Sequence, residues 1–217
     1  MVKRADGVSR RSNSANPLGP GAGLDSETTA AIQALYRAAA RPAYVRVPSM
    51  LDPGVDAGLE HAGWSFEGES LTLIGPLDGP GPSDADLASS PTAEWLTASH
   101  AINGRAPDLA IAFEAVLRRI TAPAAFSAVR QEGRIVALGY GAVHNGWLCV
   151  EAVGTDRDWR GQGLGGQTVS ALMEWAAGQG ATGACLQTQS ENRPAQAMYA
   201  RLGISRELYR YHYRRGP

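Results

Sequence analysis

The chain has 217 residues, a formal net charge of −1 and a hydrophobic fraction of 44%. This composition favours one or two domains with a real core, and the near-zero net charge gives no global field that would draw the chain to nucleic acid or to a membrane. No apolar run approaches the roughly 20 residues of a membrane-spanning helix, and no secretory signal opens the chain. Cys149 and Cys185 lie far apart in apolar segments, so we predict reduced, buried thiols and a cytoplasmic location.

The first 91 residues divide into three predicted segments. Residues 1–16 are polar and locally basic, which predicts a disordered tail, with a nucleic-acid arm as the alternative. Residues 17–75 form a small lobe in which periodicity predicts helix, strand, helix and strand, at 28–39, 43–48, 53–64 and 69–77. Residues 76–91 are rich in Pro, Gly, Ser and Asp, and this composition indicates a linker.

Residues 92–217 are predicted to form the second and larger domain. Its first helix spans 108–120, with Asp108 as its cap, and "HNG" at 144–146 is a hairpin signal. Alternation and helical periodicity predict the remaining elements. They are strands at 124–130, 135–143 and 147–155, a helix at 164–178, a strand at 183–189, a helix at 193–202 and a strand at 207–214. The series predicts an α/β (α+β) fold with a mixed, mostly antiparallel sheet flanked by helices.

The stretch "WRGQGLGGQ", residues 159–167, joins a strand to a helix and is the strongest functional signal. The first N–H groups of a helix have no internal partner, and glycine lets an anionic ligand approach them closely. Gly161, Gly163 and Gly166 also fit the dinucleotide fingerprint. However, the next strand ends in Gln187 and Gln189, where that fold needs an acidic residue. We therefore predict a pyrophosphate site of another kind.

"RGQGLG", residues 160–165, resembles the acyl-CoA-binding signature of the GCN5-related N-acetyltransferases (GNAT family). The resemblance continues in order through "WLCVEAVGT" at 147–155, "ENRPAQAMYARLGI" at 191–204 and the ending "YRYHYR". It spans residues 92–217, nearly a full domain. It implies the GNAT acyl-CoA N-acyltransferase fold, with acetyl-CoA as co-substrate and no metal.

The resemblance also implies roles for individual residues. The backbone of Val153, Gly154 and Thr155 is expected to pair with the pantetheine arm, and Asn192 to contact the cofactor near its thiol end. Asn192 also fits a helix N-cap. Tyr199 is expected to protonate the departing thiolate, the alternative being a core aromatic residue. The pyrophosphate is expected to bind Arg160 and the turn formed by Gly161, Gln162, Gly163, Leu164, Gly165, Gly166 and Gln167.

Glu151 is the candidate general base, because an amine arrives as an ammonium ion and must lose a proton before it attacks a thioester. It lies on the predicted strand two residues before Val153, so we expect both side chains on one face. A carboxylate within "WLCVEAV" is unusual enough to suggest a function. A structural ion pair is the alternative for Glu151, and His100 is a second candidate for the base.

Residues 19–73 echo residues 159–213 at an offset of 140 in the order of their elements. We interpret the first lobe as a degenerate, partial GNAT-like half-repeat, with an unrelated helical cap as the alternative. The functional residues are replaced in this lobe. Pro20 stands for Arg160, Asp25 for Gly165, Asp52 for Asn192 and Leu59 for Tyr199.

The sequence thus predicts an acetyl-CoA-dependent N-acetyltransferase that transfers the acetyl group directly to a primary amine in a ternary complex. The acceptor stays open among small molecules, amino acids and peptide N-termini, and a homodimer stays open as the oligomeric state. No nucleic-acid or membrane partner is expected. Two alternatives remain, a non-catalytic acyl-CoA-binding sensor and, with less support, an NAD(P)-dependent oxidoreductase.

Overall fold

The computed structural model describes residues 1–3, 9–19, 21–79, 81 and 83–217. Short 3-10 helices occur at Arg10–Ser12 and Arg157–Trp159. The helices and strands are α1 Ser26–Arg37, β1 Tyr44–Pro48, α2 Pro53–His61, β2 Ser65–Pro76, β3 Asp86–Ala88, α3 Ala93–Ile102, α4 Pro107–Leu117, β4 Ala124–Gln131, β5 Arg134–His144, β6 Trp147–Thr155, α5 Leu164–Gly178, β7 Gly183–Gln189, α6 Arg193–Arg201 and β8 Arg206–Arg215.

The strands form one eight-stranded sheet in the order β1-β8-β2-β7-β6-β5-β4-β3. Strand β6 runs parallel to β7. The pairs β1–β8, β3–β4, β4–β5 and β5–β6 are antiparallel. The predicted fold class, a mixed and mostly antiparallel sheet flanked by helices, is therefore confirmed.

The chain divides into two compact units, and its last strand is shared between them. Unit 1 comprises Met1–Leu71 together with Tyr209–Pro217. Its core contains the fully buried Tyr36, Val45 and Leu59. At its end of β8, the Arg214 guanidinium donates to both carboxylate oxygens of Asp56, at 2.8 and 3.0 Å. The C-terminal residues thus close the first unit by both strand pairing and charge.

The described part of the predicted tail is ordered rather than loose. Ala15 is buried, its N–H donates to the carbonyl of Tyr44, and its own carbonyl accepts from the N–H of Arg46. These bonds occupy the free edge of β1, and they oppose the conformational entropy that composition alone would favour. Residues 4–8 of the tail lie outside the described residues.

Unit 2 comprises Thr72–Leu208, and helices cover both faces of its part of the sheet. Leu138 of β5 packs in one cluster with Trp95 of α3. Its neighbour Ala137 packs in another cluster with Leu164 of α5. Successive strand residues point to opposite faces, so α3 and α5 lie on opposite sides of β5.

Three local features differ from the sequence predictions. The segment expected to be a linker contains β3, in which Leu87 pairs with Ser127 of β4. Helix α3 was not predicted at all. Helix α4 begins at Pro107 with Ala106 as its N-cap, so Asp108 lies in the first turn and is not the cap. Proline at the first helical position sets this start, because its ring fixes φ and it lacks the N–H that a cap would satisfy. The domain boundaries themselves stay a prediction.

Candidate active site

The glycine-rich turn precedes α5 and takes a backbone conformation that glycine adopts without strain. Gly161 and Gly163 have φ values of 80° and 79°, and Gly163 is the left-handed N-cap of α5. A Cβ atom added at either position would meet nothing within 4 Å, so backbone conformation rather than crowding requires glycine there. The first helical hydrogen bonds run from the N–H groups of Gly166 and Gln167 to the carbonyl of Gly163. The preceding N–H groups, of Leu164 and Gly165, point ahead of the helix as donors.

Gly165 serves a different purpose from the glycines before it. It is buried in the first turn of α5, and its φ is not among the positive values. A Cβ atom there would lie 3.1 Å from Sδ of Met198 and 3.2 Å from Oγ1 of Thr155. Glycine at this position therefore lets the start of α5 pack closely against α6 and the end of β6.

Arg160 lies at the entrance of the turn. Its side chain is exposed, and Nε donates to the carbonyl of Thr155 at 3.2 Å. This bond fixes the base of the guanidinium beside the last residue of β6. It uses one of the five donors of the group, so the planar fork can still bind an oxyanion.

The neighbouring strands β6 and β7 pair along only part of their length. Their register runs from Trp147↔Gly183 to Val150↔Leu186. Beyond that point β6 continues to Thr155 and β7 to Gln189. The described register of the two strands ends at Val150↔Leu186, and an extended ligand arm could pair with the edge of β6 beyond that point.

A β-bulge lies in β6 next to the candidate base. Ala152 has a φ of 53°, and the register shifts from Tyr140↔Glu151 to Leu138↔Gly154. Three steps along β6 thus match two along β5, so one extra residue is inserted. Glu151 and Gly154 consequently share the face of Tyr140 and Leu138.

Val153 lies on the opposite face, which corrects the expectation that it would share a face with Glu151. Its Cγ2 is 3.1 Å from the position of a Cβ added at Gly139, and Cγ2 of Thr168 in α5 is equally near. The extra residue of the bulge reverses the alternation on which the prediction depended. Nothing in the sequence marks Ala152, because alanine has no preference for positive φ.

Tyr199 lies within electrostatic range of Glu151, a residue of β6 next to the point where β6 and β7 part. Tyr199 of α6 is 7% exposed, and its burial raises the pKa of the phenol to about 12, with the negative charge of Glu151 contributing in the same direction. Glu151 is half-buried, and its Oε1 lies 4.0 Å from Sγ of Cys149. Cys149 pairs in register with Cys185 of β7. Neither cysteine is in a disulfide, and both are half-buried, which corrects the prediction that they would be buried.

The remaining predicted residues occupy the rim. Asn192 is exposed and caps α6, where its Oδ1 accepts from the N–H of Ala195 at 3.2 Å. His100 is tied to α4 by a 3.0 Å contact between its Nε2 and Oε1 of Glu114. Asn103, which the sequence did not single out, lies against β6, since a Cβ at Gly154 would be 3.1 Å from its Oδ1. Because that close approach depends on tertiary packing, only the structure reveals it.

Two kinds of feature are absent from the described part of the chain. Residues 1–3, 9–19, 21–79, 81 and 83–217 contain no group of three or more His, Cys, Asp or Glu side chains that could hold a metal ion. Within the same ranges, no helix combines the length and the hydropathy needed to span a bilayer.

Comparison with known proteins identifies relatives of the chain. A family model described as "Probable histone acetyltransferase Rv0428c C-terminal" matches residues 1–214. The uncharacterized N-acetyltransferase YobR of Bacillus subtilis (strain 168) is 27% identical over 124 residues, which cover 57% of this chain and 50% of that protein. The chain thus spans about half the length of this curated relative.

Solved structures share the fold at low sequence identity. A GCN5-related N-acetyltransferase from Kribbella flavida has a TM-score of 0.68 and 23% identity, over 93% of this chain and 80% of that one. A tandem GNAT protein from the clavulanic acid biosynthesis pathway has a TM-score of 0.69 and 18% identity, over 88% of this chain and 70% of that one. With the family model covering nearly the whole length, the chain belongs to the GCN5-related N-acetyltransferases, in the family of the Rv0428c C-terminal domain.

Proposed function

We propose that this protein is an acetyl-CoA-dependent N-acetyltransferase that transfers an acetyl group directly to a primary amine. The observation that carries the proposal is the electrostatic interaction of Glu151 with Tyr199 beside the parting strands, in a unit that also has a glycine-led helix N-terminus. A carboxylate and a protonated phenol are the base and the acid that aminolysis of a thioester needs.

The donor set around the turn suits the pyrophosphate of coenzyme A. Arg160 and the N–H groups of Leu164 and Gly165 offer positive charge and unpaired donors, while the positive end of the α5 dipole adds to the attraction. Along the unpaired edge of β6, the backbone of Val153, Gly154 and Thr155 would hold the pantetheine arm. The backbone of Thr155 retains only part of its capacity to hydrogen-bond the arm, because its carbonyl already accepts a hydrogen bond from Arg160. Acetyl-CoA supplies an acyl group activated as a thioester.

Two side chains would move the protons. Glu151 would accept the proton of the incoming ammonium, and its half-buried position leaves it reachable from solvent. Tyr199 would donate a proton to the departing thiolate, because a pKa of about 12 keeps the phenol protonated at neutral pH. Asn192 would contact the cofactor from the N-terminus of α6 while still capping it. No covalent acyl-enzyme is part of this proposal.

The acceptor belongs to the class of primary amines, whether a small molecule, an amino acid or a peptide N-terminus. The description of the matching family model names a probable histone acetyltransferase. A lysine-rich peptide therefore also belongs in the acceptor screen. The test follows loss of thioester absorbance from acetyl-CoA with each amine, for the natural chain and for Glu151→Gln. Binding of acetyl-CoA without turnover on any amine would favour the sensor alternative.

We further propose that the first lobe is a degenerate half-repeat of the second unit. The elements α1-β1-α2-β2 follow the same order as α5-β7-α6-β8. When β1 is exchanged with β7 and β2 with β8, the strand order β1-β8-β2-β7 becomes β7-β2-β8-β1. This is the same order read in reverse. Asp52 caps α2 as Asn192 caps α6, and Leu59 is buried as Tyr199 is.

The ligand-binding features are replaced in this lobe. Asp25 caps α1 through the N–H of Thr28, which places a carboxylate at that helix N-terminus. Pro20, the counterpart of Arg160, lies outside the described residues. An acidic group would repel a pyrophosphate, so the lobe is proposed to bind no acyl-CoA.

A further inference from the structure

The two cysteines form a pair that the proposed acyl transfer does not use. Cys149 of β6 and Cys185 of β7 are directly opposite each other, one position before the last registered pair of these strands. They are the only cysteines of the chain. Neither is in a disulfide, and both occupy half-buried positions that leave them partly accessible to solvent.

The spacing of the strands allows a covalent bond between these two residues. Neighbouring strands in a sheet lie about 4.8 Å apart, and a disulfide spans Cα atoms separated by about 4.4–6.8 Å. The two thiols already share a hydrogen bond from Cys149 to Cys185. Formation of a disulfide would therefore require side-chain rotation and little movement of the backbone.

The surroundings assign different roles to the two thiols. The hydrogen bond from Cys149 lowers the pKa of Cys185, although burial and the charge of Glu151 act against it. Sγ of Cys149 also lies 4.0 Å from Oε1 of Glu151, so its single S–H can donate either to Cys185 or to this carboxylate. Since the thiolate is the nucleophile in thiol–disulfide exchange, Cys185 is the attacking thiol and Cys149 the resolving one.

We propose that Cys149 and Cys185 form a thiol–disulfide exchange site for low-molecular-weight disulfides, R–S–S–R. The Cys185 thiolate attacks one sulfur of the reagent, the bond Cys185–S–S–R forms, and RS⁻ leaves. Cys149 then transfers its proton to Glu151 and attacks the Cys185 sulfur, which releases the second RS⁻. Two protein thiols are oxidised to one disulfide, and one reagent disulfide is reduced to two thiols.

The exchange would also affect the acyl-transfer centre, a consequence that rests on the proposed function. The new bond draws Sγ of Cys149 towards β7 and removes its proton, so Glu151 loses a neighbouring donor. Two sources supply the same chemistry, glutathione disulfide and coenzyme A disulfide. The coenzyme A reagent would react faster if the turn before α5 binds its pyrophosphate.

The experiment measures intact-protein mass after incubation of the reduced full chain with each disulfide. The natural chain is expected to lose the mass of two hydrogen atoms and to regain it with dithiothreitol. Cys149→Ser is expected to stop at the mixed disulfide and gain the mass of one reagent half. Cys185→Ser, the matched control, is expected to react far more slowly.

Three results would overturn the exchange site: an unchanged mass of the natural chain, a mixed disulfide that persists in it, or equal reactivity of the two serine variants. The mass readout requires no acetyl-CoA turnover. An internal disulfide in a protein without acyltransferase activity would therefore refute the proposed function alone. Activity in a chain that forms no disulfide would refute this inference alone.

Discussion

Gly163→Ala tests the geometry of the turn before α5 most directly. Gly163 has a φ of 79°, and a Cβ there would meet nothing within 4 Å. The cost is therefore that of holding a non-glycine residue in the left-handed region, about 1–2 kcal/mol. Gly166 is the matched control. It lies in the helical first turn, where an added Cβ would be 3.8 Å from Cγ of Met198, an ordinary contact.

The two substitutions should change the free energy of unfolding in opposite directions. Gly166→Ala should raise it by about 0.5–1 kcal/mol, because glycine loses more conformational freedom inside a helix. The variants should thus differ by about 1.5–3 kcal/mol. Urea denaturation followed by tryptophan fluorescence measures this difference, and Trp159 and Trp175 report from either side of the turn. Equal stabilities would show that the turn does not require a left-handed residue.

Four other variants or measurements test the proposed chemistry and the proposed half-repeat. Glu151→Gln should reduce acetyl-CoA turnover by a factor of about 10²–10⁴, while acetyl-CoA binding persists. The loss of turnover should become smaller as pH rises, because more of the amine is already neutral. An unaltered pH–rate profile would reject Glu151 as the base. Tyr199→Phe should slow thiol release. In the natural chain, activity should not fall as pH passes the ordinary tyrosine pKa of about 10, because the raised pKa, about 12, keeps Tyr199 protonated. Full activity of the phenylalanine variant would make Tyr199 a packing residue. Calorimetric titration should give one acetyl-CoA per chain, and two would contradict the degenerate half-repeat.

Much of the second unit could be predicted because its signals are local. Alternation of apolar and polar residues predicted β4–β6, and "HNG" predicted the hairpin. In its turn, Asn145 and Gly146 take positive φ values of 48° and 76°. The family signatures pointed to the Arg160 turn and to Tyr199. Glu151 lies close enough to Tyr199 to raise the pKa of its phenol electrostatically. Their catalytic roles stay predictions.

The unpredicted features depend on contacts between distant segments. Helix α3 is an exception, because Trp95, Ala98 and Ile102 pack against the core at helical spacing and form a short apolar stripe that a prediction could have used. The bulge at Ala152 arises from the mismatch between β5 and β6, and alanine gives no warning of it. Gly165 is constrained by the proximity of Met198 and Thr155, which belong to other elements of the unit. Sequence patterns indicate which residues are buried, but they do not indicate which neighbouring side chain packs against a glycine.

The shared last strand has a consequence for the order of folding during synthesis. Val45 of unit 1 pairs with Arg214, and the carboxylate of Asp56 in the same unit accepts a hydrogen bond from the side chain of that arginine. Until the ribosome delivers residues 209–217, the first 71 residues lack one strand of their sheet and the cation for that carboxylate. Contacts so distant in sequence form slowly, since a long loop must close first. The first unit to be synthesised is thus the last to be completed, and until then it would expose Val45 and Val47 to chaperones and proteases.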